Sequence, residues 1–169
     1  MKLKKISIKI IIIIAFLTLY HIILNNNLEK IFLATHYDYN MIKRPNEKCI
    51  SDEKWSFVSC IGMPSGHTEA AAVFFILLYL YKFIPLWVCI LFVVIFGSQR
   101  IISNMHTLGQ VMMGATLGLF YALLYYELGP LVGFLIILFI GVILTYLSVK
   151  EIDKRIAEPL PHWVDKSMY

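Results

Sequence analysis

The chain has 169 residues, 59% of them hydrophobic and only 15% charged, with a formal net charge of +4 and a mean hydropathy of +0.74. A single domain of this length has no core large enough to hide so much apolar surface, and the apolar residues run in long blocks, so the bilayer is the solvent they are built for. The basic residues sit in short groups at the ends of those blocks, where they serve orientation and headgroups; nucleic acid is excluded as a partner.

Taken in order, the chain opens with Met1-Lys2-Leu3-Lys4-Lys5 and an apolar run to Leu24. The run is longer than a secretory apolar core and has no small-residue cleavage site after it, which predicts an uncleaved first span over about 6–24. Residues 25–66 form the longest polar segment, with an interfacial helix expected around 28–41 and Tyr37 and Tyr39 at headgroup level. Further spans are predicted over about 67–82, 84–101, 107–126 and 130–149, punctuated by Pro85 and by Gly129-Pro130. Several are short for a full crossing and call for tilt or local thinning. The tail from Lys150 is charged and broken by Pro159 and Pro161. Together this describes one all-α, multi-pass domain over 1–169: an anchor span to residue 24, a polar segment over 25–66, a helical core over 67–149 and a polar tail over 150–169. A bundle this small has limited interior surface, which leaves pairing with a second copy open.

Alternation of about five spans puts residues 25–66, the Arg100–His106 connection and the tail on one side. Lys2, Lys4, Lys5 and Lys9 favour a cytoplasmic N-terminus, so that side faces away from the cytoplasm; Lys150, Lys154, Arg155 and Lys166 pull the other way. Of the three cysteines, Cys49 and Cys60 share the polar segment and could form one bridge in an oxidising space. Cys89 lies in an apolar block and reads as packing. Inside the spans, charge is nearly confined to Glu69.

Three polar groups recur at span ends on the one predicted face: Lys43-Arg44-Pro45, Pro64-Ser65-Gly66-His67, and Arg100 followed by His106. Ser65 and Gly66 open a helix, whose unpaired N–H groups and positive dipole end suit an anion; Gly66 admits a close approach and Ser65 offers a hydroxyl. Arg44 and Arg100 can clamp phosphate oxygens, although a lone arginine at a span end usually snorkels. Two histidines at one anion site supply both halves of a phosphoryl transfer, an attacking nitrogen and a proton for the leaving oxygen.

These groups resemble the type 2 phosphatidate phosphatase and vanadium haloperoxidase superfamily, whose motifs are Lys-x6-Arg-Pro, Pro-Ser-Gly-His and Ser-Arg-x5-His-x3-Asp. The resemblance covers roughly residues 37–110. It implies a helical bundle and a metal-independent lipid phosphatase, with a phosphate- or diphosphate-bearing membrane lipid as substrate. It also implies His106 as the nucleophile of a phosphohistidine, His67 as general acid, and Arg44, Ser65, Gly66 and Arg100 around the phosphate. Three positions depart from the pattern. Tyr37 replaces the first-motif lysine, for which Lys43 is a substitute cation out of register. Gln99 separates Ser98 from Arg100. Gln110 replaces the aspartate, where its amide is expected to meet His106 from one helix turn away without a carboxylate's charge. The departures support a second reading, a catalytically impaired relative that binds phospholipid headgroups or serves as a structural membrane protein. A phosphotransferase acting on an alcohol is a third.

Overall fold

The computed structural model describes residues 2–36, 42–45 and 61–157. Tyr37, Cys49, Cys60 and the tail beyond Ala157 lie outside them. The regular elements among the described residues are all helices: α1 (Lys2–Tyr20), a π-helical turn (His21–Asn25), α2 (Asn26–His36), α3 (Gly66–Leu80), α4 (Leu86–Ile102), α5 (Leu108–Leu128) and α6 (Pro130–Ala157). Three stretches are long and apolar enough to cross a membrane: Ile8–Leu33 with 26 residues, Leu108–Leu128 with 21 and Pro130–Ser148 with 19. α3 and α4 are apolar but shorter.

The first helix corrects the expectation of a span ending at 24 and a separate interfacial helix from 28. The chain stays helical through His36. Asparagine usually competes with the helix by bonding nearby backbone, but here each amide of the Asn25–Asn27 run has a partner that leaves the helix intact. Asn27 Nδ2 donates to Ile23 O at 2.8 Å and Asn25 Nδ2 to Glu29 Oε1 at 2.7 Å. Asn26 reaches across to Pro64 O at 3.3 Å. The π turn over His21–Asn25 widens the helix where His21, Asn25 and Asn26 face inward.

Small residues set the central contact, as expected where lipid offers no hydrophobic drive between helices. A Cβ at Gly114 on α5 would lie 2.5 Å from Ser65 O, and one at Gly118 would strike Glu69 O and come within 2.6 Å of the Ala72 methyl. Backbone therefore touches backbone between α3 and α5, and Ser65 is pinned beside the start of α5. Towards the other end the packing is apolar, with Ile14, Leu17, Val73, Leu77, Ala122, Tyr125 and Ile137 buried together. Large apolar side chains such as Ile12, Trp87, Phe120 and Phe139 point outward, where acyl chains cover them.

With 15 residues, α3 is about 22 Å long, shorter than a hydrocarbon layer of about 30 Å. Its N-terminus, the C-terminus of α4 and the N-terminus of α5 share one end of the bundle. All three carry the polar motifs.

Candidate active site

The backbone explains the motif spacing. α4 ends by unwinding through Asn104, whose φ is 52°. The N–H groups of Met105 and His106 both donate to Arg100 O, at 3.1 and 3.3 Å. The five intervening residues are thus the end of α4 and the loop that returns His106 to the turn bearing Arg100. Thr107 then caps α5 in a reciprocal box with Gln110, Thr107 N donating to Gln110 Oε1 at 3.1 Å and Gln110 N to Thr107 Oγ1 at 3.4 Å.

The remaining motifs are tied to this corner. Gly62 N donates to Ile42 O at 2.7 Å and Ser65 N to Gln110 O at 3.1 Å, while Lys43 and Ile61 form an antiparallel bridge. Buried Ile42 and Ile61 pack with Leu33 beneath them. At α3 the first intrahelical bond is Glu69 N to Ser65 O at 2.9 Å, so the N–H groups of Gly66, His67 and Thr68 precede it at the positive helix end.

His106 is buried, and its Nδ1 donates to Gly62 O at 2.8 Å. A carbonyl can only accept, so the bond fixes the proton on Nδ1 and leaves the lone pair on Nε2. Burial pushes the imidazole down to about 4, with Arg44, Arg100 and Lys30 adding to the effect and the Gly62 bond opposing it. It is neutral near pH 7. His67 is exposed at the first turn of α3, within electrostatic reach of Arg100, Lys30 and Arg44. Burial and then the neighbouring Arg100 cation lower the Arg44 guanidinium from its ordinary value. Arg100 donates from Nη1 to Gln99 Oε1 at 3.4 Å, and its buried Nε has no partner among the described residues. Two guanidinium groups and two imidazoles thus share one neighbourhood, which an anion would stabilise.

Four of the expected site residues have partners that the sequence did not foretell. Gln110 does not meet His106, because His106 precedes the helix and the four-residue spacing gives no common face. Gln110 Nε2 instead donates to Lys43 O at 2.7 Å and Ile42 O at 3.4 Å, joining the first and third motifs. The partner of His106 is the Gly62 carbonyl. Gly66 makes room for Asn26, whose Oδ1 would lie 2.5 Å from an added Cβ. Ser65 occupies the N-cap position of α3 without a side-chain cap bond, its fully buried hydroxyl bonded to Thr68 Oγ1 at 3.0 Å. Lys43 joins the site through its backbone carbonyl and the bridge to Ile61.

A second polar cluster, unforeseen from sequence, lies deeper. Glu69 is fully buried. Its Oε1 pairs with His21 Nδ1 at 2.6 Å and accepts from Asn25 at 3.3 Å, and its Oε2 accepts from Asn26 at 3.3 Å. His21 Nε2 meets the Tyr125 hydroxyl at 2.8 Å, and Tyr121 donates to Glu29. Spacing carried a signal for this cluster: His21, Asn25 and Glu29 recur every four residues, as do Asn26 and Lys30. Among the described residues, no set of three His, Cys, Asp or Glu side chains comes together as metal ligands.

Neither a curated protein nor a solved structure matches the chain. The family model described as the PAP2 superfamily matches residues 11–152, which takes in all three motif regions and every helix that carries them. The chain belongs to the PAP2 superfamily, a phosphatase-type family.

Proposed function

We propose that this protein is an integral-membrane lipid phosphatase that hydrolyses a phosphomonoester or diphosphate through a phosphohistidine on His106. The observation that carries the reading is the Nδ1 bond from His106 to Gly62 O at 2.8 Å, which aims a neutral Nε2 lone pair from within a group of cations. His106 Nε2 attacks phosphorus and the bond from phosphorus to the lipid oxygen breaks. His67, in its protonated form, gives its proton to that leaving oxygen. Neutral His67 then takes a proton from water as the water oxygen attacks phosphorus, and the phosphorus–nitrogen bond breaks to release phosphate and restore His106. Arg44, Arg100 and the N–H groups opening α3 hold the phosphoryl oxygens, so that positioning and charge neutralisation do most of the work.

The short α3 supports a lipid substrate. Its 15 residues are fewer than a full crossing uses, which suits a headgroup meeting the histidines at its polar end while the acyl chains stay among the outward apolar side chains. The charge pattern of the N-terminus favours the non-cytoplasmic face for this end of the bundle.

A catalytically impaired lipid-binding relative is the alternative. Its chief support was a neutral Gln110 beside the nucleophile, and that contact is replaced by the Gly62 carbonyl. The decisive measurement is phosphate release by detergent-solubilised protein without added metal, inhibited by orthovanadate. Loss of release in both His106→Ala and His67→Ala is expected; release unchanged by either substitution overturns the assignment.

A further inference from the structure

We propose that Lys30, on the first membrane helix, is the third cation of the phosphate pocket and matches it to a phosphoryl group carrying two charges rather than one. The inference rests on the hydrolase reading above and names the substrate charge class of that same site.

Lys30 is 7% exposed, although a lysine inside an apolar helix is costly unless something offsets its charge. It lies one helical turn beyond Asn26, so the two side chains share a face of α2. Asn26 marks where that face points. Its amide donates to Pro64 O at 3.3 Å and to Glu69 Oε2 at 3.3 Å, and it fills the space above Gly66. Lys30 therefore follows along the face that presses on the Pro64–His67 turn.

Charge gives Lys30 two sets of neighbours. Its ammonium acts on both His67 and His106, as the two arginines do, and Arg44, Glu69 and Glu29 act on it in turn. Among the described residues, Glu29 and Glu69 lie within electrostatic reach of Lys30, but neither forms a close ion pair with it; the close contact of Glu69 is with His21. Arg100 adds a separate sign: its buried Nε–H has no partner among the described residues. Three cations that repel one another, with a spare guanidinium donor among them, suit a terminal phosphate dianion. A phosphodiester brings one negative charge and a second ester arm to accommodate.

The test compares the full chain with Lys30→Met and Lys30→Arg in detergent, using a long-chain alkyl phosphate as substrate and orthovanadate as inhibitor. A charge-assisted contact to an oxyanion implies that Lys30→Met raises KM and the vanadate inhibition constant on the order of 10- to 100-fold, with a smaller effect on kcat. Lys30→Arg keeps the charge and recovers most of the affinity. Thermal unfolding with and without vanadate separates binding from packing. The vanadate-induced rise in Tm is expected to vanish in Lys30→Met and persist in Lys30→Arg. A purely structural lysine would lower Tm in both variants and leave the vanadate response intact, which overturns the proposal. If Lys30→Met does not accumulate folded, Lys30→Gln carries the same comparison. A wild-type protein that hydrolyses the substrate while Lys30 variants keep its KM and vanadate sensitivity overturns the role of Lys30 alone. A wild-type protein that neither hydrolyses nor responds to vanadate overturns the hydrolase reading with it.

Discussion

His67 and Glu69 stand two residues apart on α3, yet they serve polar regions built on opposite terms. Both oxygens of Glu69 are occupied, by His21, Asn25 and Asn26, and the residue is wholly buried. Around His67 the protein gathers like charges, leaves the imidazole exposed and spends nothing on Arg100 Nε among the described residues. A polar group in a membrane is stable when the protein completes it. One region closes around Glu69 and holds the first helix to the third, with Glu29 Oε2 left without a partner among the described residues. In the other, Arg100 Nε keeps a donor without a partner among the described residues, which on the proposed function an anion would take.

This division predicts two kinds of damage. The largest effect falls on the open region: His106→Ala removes the attacking nitrogen and lowers turnover on the order of 10⁴-fold or more. Its Tm in detergent falls far less than that loss suggests, because a single hydrogen bond to Gly62 is given up. Phosphate release and thermal unfolding on the same preparation read both quantities, and equal loss in the two would erase the distinction.

The closed region comes next. Glu69→Ala strands His21 and two asparagine amides in the bilayer interior, at about 1–3 kcal/mol for each buried group left without its partner. The expected outcome is a large drop in Tm, with turnover per folded molecule reduced much less than in His106→Ala. Glu69→Gln keeps a carbonyl oxygen for the asparagines and is milder. A Glu69→Ala protein that unfolds like wild type but is catalytically dead would move Glu69 into the open region.

The open region was largely legible in the sequence and the closed one was not. His67, Arg100 and His106 announce themselves by spacing, because local backbone geometry fixes that spacing: the return of the loop to Arg100 O is a short-range event. A four-residue spacing puts Gln110 beside His106 only if both lie on one helix, and that helix begins at Leu108. The closed region depends on long-range partners, with His21 and Glu69 separated by 48 positions. An asparagine run reads locally as a helix end; only a facing helix that accepts its amides makes it a continuation. Glu29 and Lys30 are hidden for the same reason, since they lie beyond the apolar run that marks the first span.

The reassignment of Gln110 reverses a simple expectation. If Gln110 were a weakened partner of His106, Gln110→Asp would restore activity. In the structure its Nε2 faces two carbonyls and its Oε1 caps Thr107. An aspartate is too short to reproduce the cap and sets a carboxylate against acceptors. Lost buried hydrogen bonds of this kind cost about 1–3 kcal/mol. Lower Tm and turnover no better than wild type are expected; a gain in kcat would show that a carboxylate reaches His106 after all.

The finest test concerns the proton on His106. Its pKa is pushed down to about 4 from the ordinary 6.5, by burial first and by Arg44 next. Acylation by diethyl pyrocarbonate needs neutral imidazole, so labelling of His106 in a His67→Asn background should stay level as the pH falls from 7 to 5 and decline only near 4. Arg44→Gln removes a cation and moves that decline upward. Linkage gives the same sign in stability: the unfolded histidine takes up a proton near 6.5 and the folded one does not, so unfolding binds the extra proton. The stabilising share of the neutral imidazole is therefore present above about 6.5 and is lost as the pH falls towards about 4. A labelling curve with its midpoint at 6.5, unmoved by Arg44→Gln, would put His106 in water and away from the arginines, and the open region would lose its nucleophile.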